Sequence, residues 1–212
     1  MCITRKYPQQ LLFCIVGGWV LVAVDAGVRL MSINSSIIAG GGAKNEPFDY
    51  YPTPPDATQG LLGFLNLPKN MTVWECACGN GAMSKVLEDY GFNVMSSDIR
   101  EDCGYGESGV DFFKETRVCD AIITNPPFGV AQEFIEKALK DAPIVCMLLK
   151  AHYWHTKKRF SLFQSKPPSF VLPLTWRPNF MQERGKSPTM DFQWTVWVDG
   201  DTNTKYRLLS KT

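Results

Sequence analysis

The tetrapeptide Asn125-Pro126-Pro127-Phe128 follows the apolar run Cys119 to Thr124 and holds more chemistry for its length than any other part of the chain. The Asn125 side-chain oxygen and the Pro126 carbonyl are two acceptors for the hydrogens of one planar NH2 group. Neither proline has an N–H to compete, and both stiffen the backbone. Phe128 adds a flat apolar face on which a ring could stack. A planar amino nitrogen has its lone pair delocalised into a ring or carbonyl, so it is a poor nucleophile and needs acceptors around its hydrogens. The tetrapeptide therefore suits methyl transfer onto such a nitrogen. It also suits a plain strand end, where Pro-Pro simply stops pairing.

Upstream, the short apolar run Thr72 to Glu75 leads into Gly79-Asn80-Gly81 and then a helical pattern with Met83, Val86 and Leu87 on one side. Glycines let the chain turn sharply and let a ligand approach the backbone, and a helix start offers free N–H groups to a carboxylate. The turn is a candidate cofactor cradle. A dinucleotide fingerprint would need a third glycine at position 84, which is Ser. Phe92 to Ser97 predicts a second strand ending at Asp98, whose carboxylate at the sheet's carboxyl edge suits a ribose diol; a solvated loop aspartate is the alternative. Asp111-Phe112-Phe113 sets a carboxylate beside aromatics, a pattern for an adenine amino group and its ring. A short core strand with one exposed acid would read the same way.

The elements that must position these residues alternate. Strand-like runs near 72–75, 92–97, 119–124, 143–149, 169–174 and 192–198 are interleaved, up to about residue 165, with helical patterns such as Ala131 to Lys140 and Lys157 to Gln164. This alternation predicts an α/β domain: a mostly parallel sheet covered by helices on both faces, with ligands at the carboxyl ends of its strands. The run Phe192 to Val198 alternates more than the others. At 212 residues and 45% hydrophobic content, one good core can be buried.

Taken together, residues from about Tyr50 to Val198 resemble the class I S-adenosylmethionine-dependent methyltransferases, and within them the compact phage- and prophage-type enzymes that methylate N6 of adenine in DNA. The resemblance implies a Rossmann-like seven-stranded sheet with an antiparallel seventh strand at Phe192 to Val198, and S-adenosyl-L-methionine as cofactor. It implies that Tyr51, Thr53 and Pro54 lie along the cofactor, that Glu75, Gly79 and Gly81 contact its methionine part, Asp98 its ribose, and Asp111 with Phe112 its adenine. Asn125, Pro126, Pro127 and Phe128 would hold the target base. Cys76 stands where the family often has proline, which leaves the strand exit less rigid.

Residues 1–49 read as an apolar segment and a flexible linker ahead of a 50–212 domain. Arg5 and Lys6 precede the apolar run Leu11 to Val24, and Gly40-Gly41-Gly42 marks the linker. Fourteen residues fit a secretory signal better than a spanning helix. Seven cysteines without a repeated spacing give no disulfide framework, and nothing in the expected chemistry uses export. The expectation is a cytoplasmic protein with no stable membrane association whose translation starts at Met31; an anchor or a signal stays open.

A net charge of +1 conceals a division. Glu75 to Asp141 holds 13 acidic and 6 basic residues, whereas Lys150 to Ser187 holds 8 basic residues against Glu183 alone. Lys157, Lys158, Arg159, Arg177, Arg184 and Lys186, mixed with Trp176 and Phe180, form a candidate nucleic-acid face; a solvated helix face over core aromatics is the alternative. Cys76, Cys78, His152 and His155 do not have the spacing of a zinc site. Glu133 with Lys137 and Glu136 with Lys140 predict ion pairs along one helix face. DNA is the expected substrate, reached with relaxed specificity or through a protein partner. RNA bases, protein glutamine and a non-catalytic binding module are the alternatives.

Overall fold

The computed structural model describes residues 12–16, 19–24, 27–31, 51–180 and 188–211. The linker expected at 39–49, with Arg184 and Lys186, lies outside them. The chain divides into two units, Met1–Ala43 and Lys44–Thr212. In the first, β1 (Leu12–Val16), β2 (Trp19–Val24) and β3 (Gly27–Met31) form an antiparallel sheet in that order. The apolar run read as a signal or anchor is thus split between two paired strands, in keeping with its Val, Ile and Trp content. Among the described residues no helix is long and apolar enough to cross a membrane.

The second unit begins with α1 (Pro55–Leu65), whose first residue is a proline that needs no N–H partner. The helix stops where Asn66 turns left-handed, φ 45°, and donates back to Leu62. Then come β4 (Thr72–Glu75), α2 (Ala82–Tyr90), β5 (Asn93–Ser96), β6 (Ala121–Thr124), α3 (Ala131–Asp141), β7 (Ile144–Lys150), α4 (Phe160–Ser165), β8 (Phe170–Pro173), β9 (Phe192–Val198) and β10 (Lys205–Tyr206). The seven strands from β4 onward form one sheet in the order β10-β8-β9-β7-β6-β4-β5. Pairs among β4, β5, β6 and β7 are parallel, and β9 runs antiparallel between β7 and β8. The strand β10, two residues long and exposed, shows no periodicity and escapes the sequence reading.

Helices cover both faces. Alternate residues of each strand point to opposite layers: Val73, Ile123, Leu148 and Trp194 pack with Leu61 of α1 and Leu87 of α2, whereas Trp74, Ile122, Met147 and Trp197 pack with Ile135 of α3 and Leu162 of α4. Each core tryptophan finds an acceptor, with Trp74 Nε1–H donating to Ser97 Oγ (2.8 Å) and Trp194 Nε1–H to the Ala57 carbonyl (2.8 Å). Along α3 the ion pairs differ from those expected. Lys137 pairs with Asp141, and Glu136 accepts from Gln132 at 2.8 Å. The i, i+4 spacing holds, but the register is shifted because Phe134, Ile135 and Ala138 define the buried side.

From β4 the chain crosses to β5 on one side, and the next strand, β6, lies on the other. That reversal opens a crevice above the carboxyl ends of β4 and β6, the place where open α/β sheets bind ligands.

Candidate functional site

Glu75 closes β4 and Asn125 follows β6, so both stand at the crevice. Glu75 is buried; one carboxylate oxygen accepts from Thr124 Oγ1–H at 2.5 Å and from the Ala77 N–H at 3.3 Å. Burial pushes its carboxyl up to about 7, against those hydrogen bonds. The following turn is held from the next strand. Asp98, 6% exposed, accepts from the Gly79 N–H (2.8 Å) with one oxygen and the Arg100 N–H (2.9 Å) with the other. Gly79 takes φ +52°, which suits glycine.

These residues wall a cavity of about 530 Å³. Of the residues singled out from sequence, Tyr51, Thr53, Glu75, Gly79, Asp98, Asp111, Phe112, Asn125 and Pro127 line it. Pro54, Gly81, Pro126 and Phe128 do not. Pro54 is the N-cap of α1, and Pro126 is buried behind the wall. Gly81 makes room for a neighbouring ring instead. A Cβ there would sit 2.3 Å from the ring of Tyr105, which is anchored through its hydroxyl to both Glu88 oxygens. Phe128 lies nearly parallel to Tyr51 at 6.0 Å and 6.1 Å from Phe192, with the Lys150 ammonium 4.0 Å from its centroid. Its faces are engaged by protein groups rather than open to the cavity.

The cations beside the acidic wall are already paired. Asp111 pairs with exposed Lys114 (3.1 Å), which with the Phe113 N–H holds its carboxyl below the usual range, and Arg100 pairs with Asp102 (2.9 Å). Beyond Asp98 the wall turns apolar, with Ile99, Val110, Phe112, Phe113 and Phe134. Phe112 is wedged between Trp74 (5.1 Å, edge-on) and Phe134 (4.7 Å, stacked) in a turn, not a strand. Ile99 and Phe113 could have been found as neighbours of Asp98 and Phe112; Phe134 could not, since it reads as an ordinary buried helix position. At the other end Asn125 Nδ2–H donates to Thr53 Oγ1 at 3.1 Å, leaving Asn125 Oδ1 buried without a partner.

The basic segment is less uniform than its composition suggests. Lys157 and Lys158 are exposed. Arg159 folds back, its guanidinium 3.8 Å from the Tyr153 ring and donating to the Tyr153 carbonyl at 2.6 Å. Arg177 pairs with Asp191 (2.7 Å). Phe180 is a core residue, 4.6 Å from Phe192, and Trp176 is half-buried over Gly60. The aromatics expected to stack bases are therefore committed to packing. Among the described residues no group of three or more His, Cys, Asp or Glu side chains could hold a metal ion.

No protein-family model and no curated protein matches this chain. Solved structures do. A Pyrococcus horikoshii protein described as an RNA methyltransferase aligns with TM-score 0.59 and 18% identity over 77% of this chain and 96% of its own. The methyltransferase subunit of a type I restriction-modification system from Streptococcus thermophilus aligns with TM-score 0.60 and 11% identity over 74% of this chain and 47% of its own. The 23S rRNA methyltransferase ErmE aligns with TM-score 0.53 and 12% identity over 72% of this chain and 71% of its own. The fold is that of the class I methyltransferases.

Proposed function

We propose that this chain transfers a methyl group from S-adenosyl-L-methionine to an exocyclic amino nitrogen, N6 of adenine in DNA. The observation that carries the reading is Asn125 in the cavity wall, its NH2 held by Thr53 and its oxygen buried without a donor. A buried acceptor without a protein donor costs about 1–3 kcal/mol, which a substrate N–H would recover.

The cavity fits the donor on its own terms. Glu75 and Asp98 offer carboxylates to a cationic, hydroxyl-rich molecule, Asp111 offers an acceptor to its adenine beside the exposed apolar side chains of Ile99 and Phe113, which Phe112 backs from the core, and Tyr51 and Thr53 flank it. When bound, S-adenosyl-L-methionine supplies an electrophilic methyl group on a sulfonium sulfur. Asn125 Oδ1 then holds one hydrogen of the attacking amino group, and the carbonyl of Pro126, the next residue in the chain, is the candidate acceptor for the other. As the nitrogen gains positive charge in a site of low dielectric, these acceptors stabilise it more than they stabilise the ground state. A duplex adenine must leave the stack to reach them. Target choice falls to the basic segment or to a protein partner, and the chemistry belongs in the cytoplasm.

A second reading, methylation of an RNA base, has one observation in its favour: the neighbour matched over 96% of its length is described as an RNA methyltransferase. Radiolabelled methyl transfer to unmethylated DNA, RNA and protein in parallel, followed by nucleoside mass spectrometry, separates the two. Label in N6-methyladenine of DNA is the expected result. Asn125→Ala should lower turnover about 10²–10³-fold while donor affinity holds; unchanged turnover would remove Asn125 from the reaction.

A further inference from the structure

We infer that Lys150 is an anion site at the acceptor end of the cavity and takes a phosphate of the nucleotide whose amino group meets Asn125; this rests on the methyl-transfer reading above. Lys150 is the last residue of β7, beside β6 in a register that pairs Thr124 with Met147, so it stands further out along the same carboxyl edge as Asn125. Its side chain is half-buried, and its ammonium lies 4.0 Å from the centroid of Phe128.

Lys114, Lys205 and Lys211 each sit within 3.1 Å of a carboxylate, and Lys137 pairs with Asp141. Among the described residues Lys150 has no carboxylate partner. Lys69 and Lys85 also rest on rings with no carboxylate partner among the described residues, on Tyr90 and Tyr105; what sets Lys150 apart is its place beside Phe128 at the carboxyl edge that carries Asn125. Asp191 adjoins Phe192, the cross-strand partner of Lys150, and its carbonyl accepts from the Ala151 N–H (2.9 Å), but its carboxylate is engaged by Arg177. A partly desolvated ammonium resting on a ring keeps its attraction for an anion, because the ring supplies a quadrupole and no charge. Exposed Lys157 and Lys158 continue the same sign along the chain.

The site therefore has two electrostatic ends. Glu75, Asp98 and Asp111 line the cavity, whereas the flank beside Phe128 carries an unmatched cation. A glutamine amide brings no anion to meet it. A nucleotide brings a phosphate within a ribose of its base. The pairing that holds Phe128 in the free protein is then exchanged on binding, the ammonium moving to the phosphate and leaving the ring to the base.

The test uses the full chain with radiolabelled S-adenosyl-L-methionine and four acceptors: adenine-containing DNA and RNA strands of one sequence, adenosine, and a glutamine peptide. Lys150→Met keeps the length of the side chain and removes its charge. It should raise KM for the labelled strand about tenfold, the change falling on KM rather than kcat, and well beyond any change for adenosine, which brings no phosphate. Strand binding should lose about one released counterion from its salt dependence, a slope change of roughly 0.7–0.9. Lys150→Arg should restore KM. An equal rise in KM for adenosine would assign Lys150 to packing against Phe128 and overturn the inference. So would an unchanged KM for the strand, with the methyl-transfer reading intact. Label in the peptide alone would overturn both.

Discussion

Replacing Thr53 by Val tests whether the Asn125 amide is held in one orientation. Thr53 is 5% exposed, and its Oγ1 is the acceptor for Asn125 Nδ2–H at 3.1 Å. Valine keeps the shape and removes the acceptor. A hydrogen bond of this kind is worth about 0.5–1.5 kcal/mol net, and that energy biases the amide toward presenting its oxygen to a substrate. At a factor of ten per about 1.4 kcal/mol, losing the bias should lower kcat by about 2- to 12-fold. This is far short of the 10²–10³-fold, roughly, expected when the acceptor itself is removed. Single-turnover transfer from saturating S-adenosyl-L-methionine gives the rate, and calorimetry gives donor affinity, which should move less than about twofold. On an Asn125→Ala background the substitution should add nothing, since both act through one amide. An unchanged kcat with weakened donor binding would refute the argument and make Thr53 a donor contact.

Three further outcomes follow from the geometry. Glu75 titrates at about 7 rather than 4.5, so between those values the folded chain keeps a proton that the unfolded chain has lost. Its contribution to stability is therefore greatest at low pH and falls as pH rises through that window. Glu75→Gln should flatten the decline by about 3 kcal/mol in urea titrations of the ligand-free protein at about pH 5 and about pH 8; an identical decline in both proteins would contradict it. Gly81→Ala should destabilise the chain by about 1–3 kcal/mol, read as a lowered Tm, since a Cβ at φ +76° would enter the Tyr105 ring. Phe180→Ala should cost about 3 kcal/mol in chemical denaturation and leave nucleic-acid affinity within about twofold; intact stability with lost binding would return Phe180 to the nucleic-acid face.

The sheet was legible because its central strands are continuous apolar runs bounded by turn residues, as at Ala121–Thr124 and Ile144–Lys150, and because Phe192–Val198 alternates as a strand should. The places of Asp98 and Asn125 were legible for the same reason: Asn125 directly follows β6 and Asp98 comes two residues after the end of β5, and parallel strands share one carboxyl edge. Local pattern settled where these residues stand along the chain and which edge they share. It could not settle what each side chain touches, because contacts between residues distant in sequence depend on packing. Gly81 looked like a cofactor contact until Tyr105 filled the space beside it. Phe128 looked like a free stacking face until Tyr51 and Lys150 took its sides, and Phe180, set among basic residues, went to the core against Phe192. Only the tertiary structure brought Thr53 and Asn125, 72 positions apart, into one hydrogen bond, and that bond decides which atom of Asn125 is left without a partner.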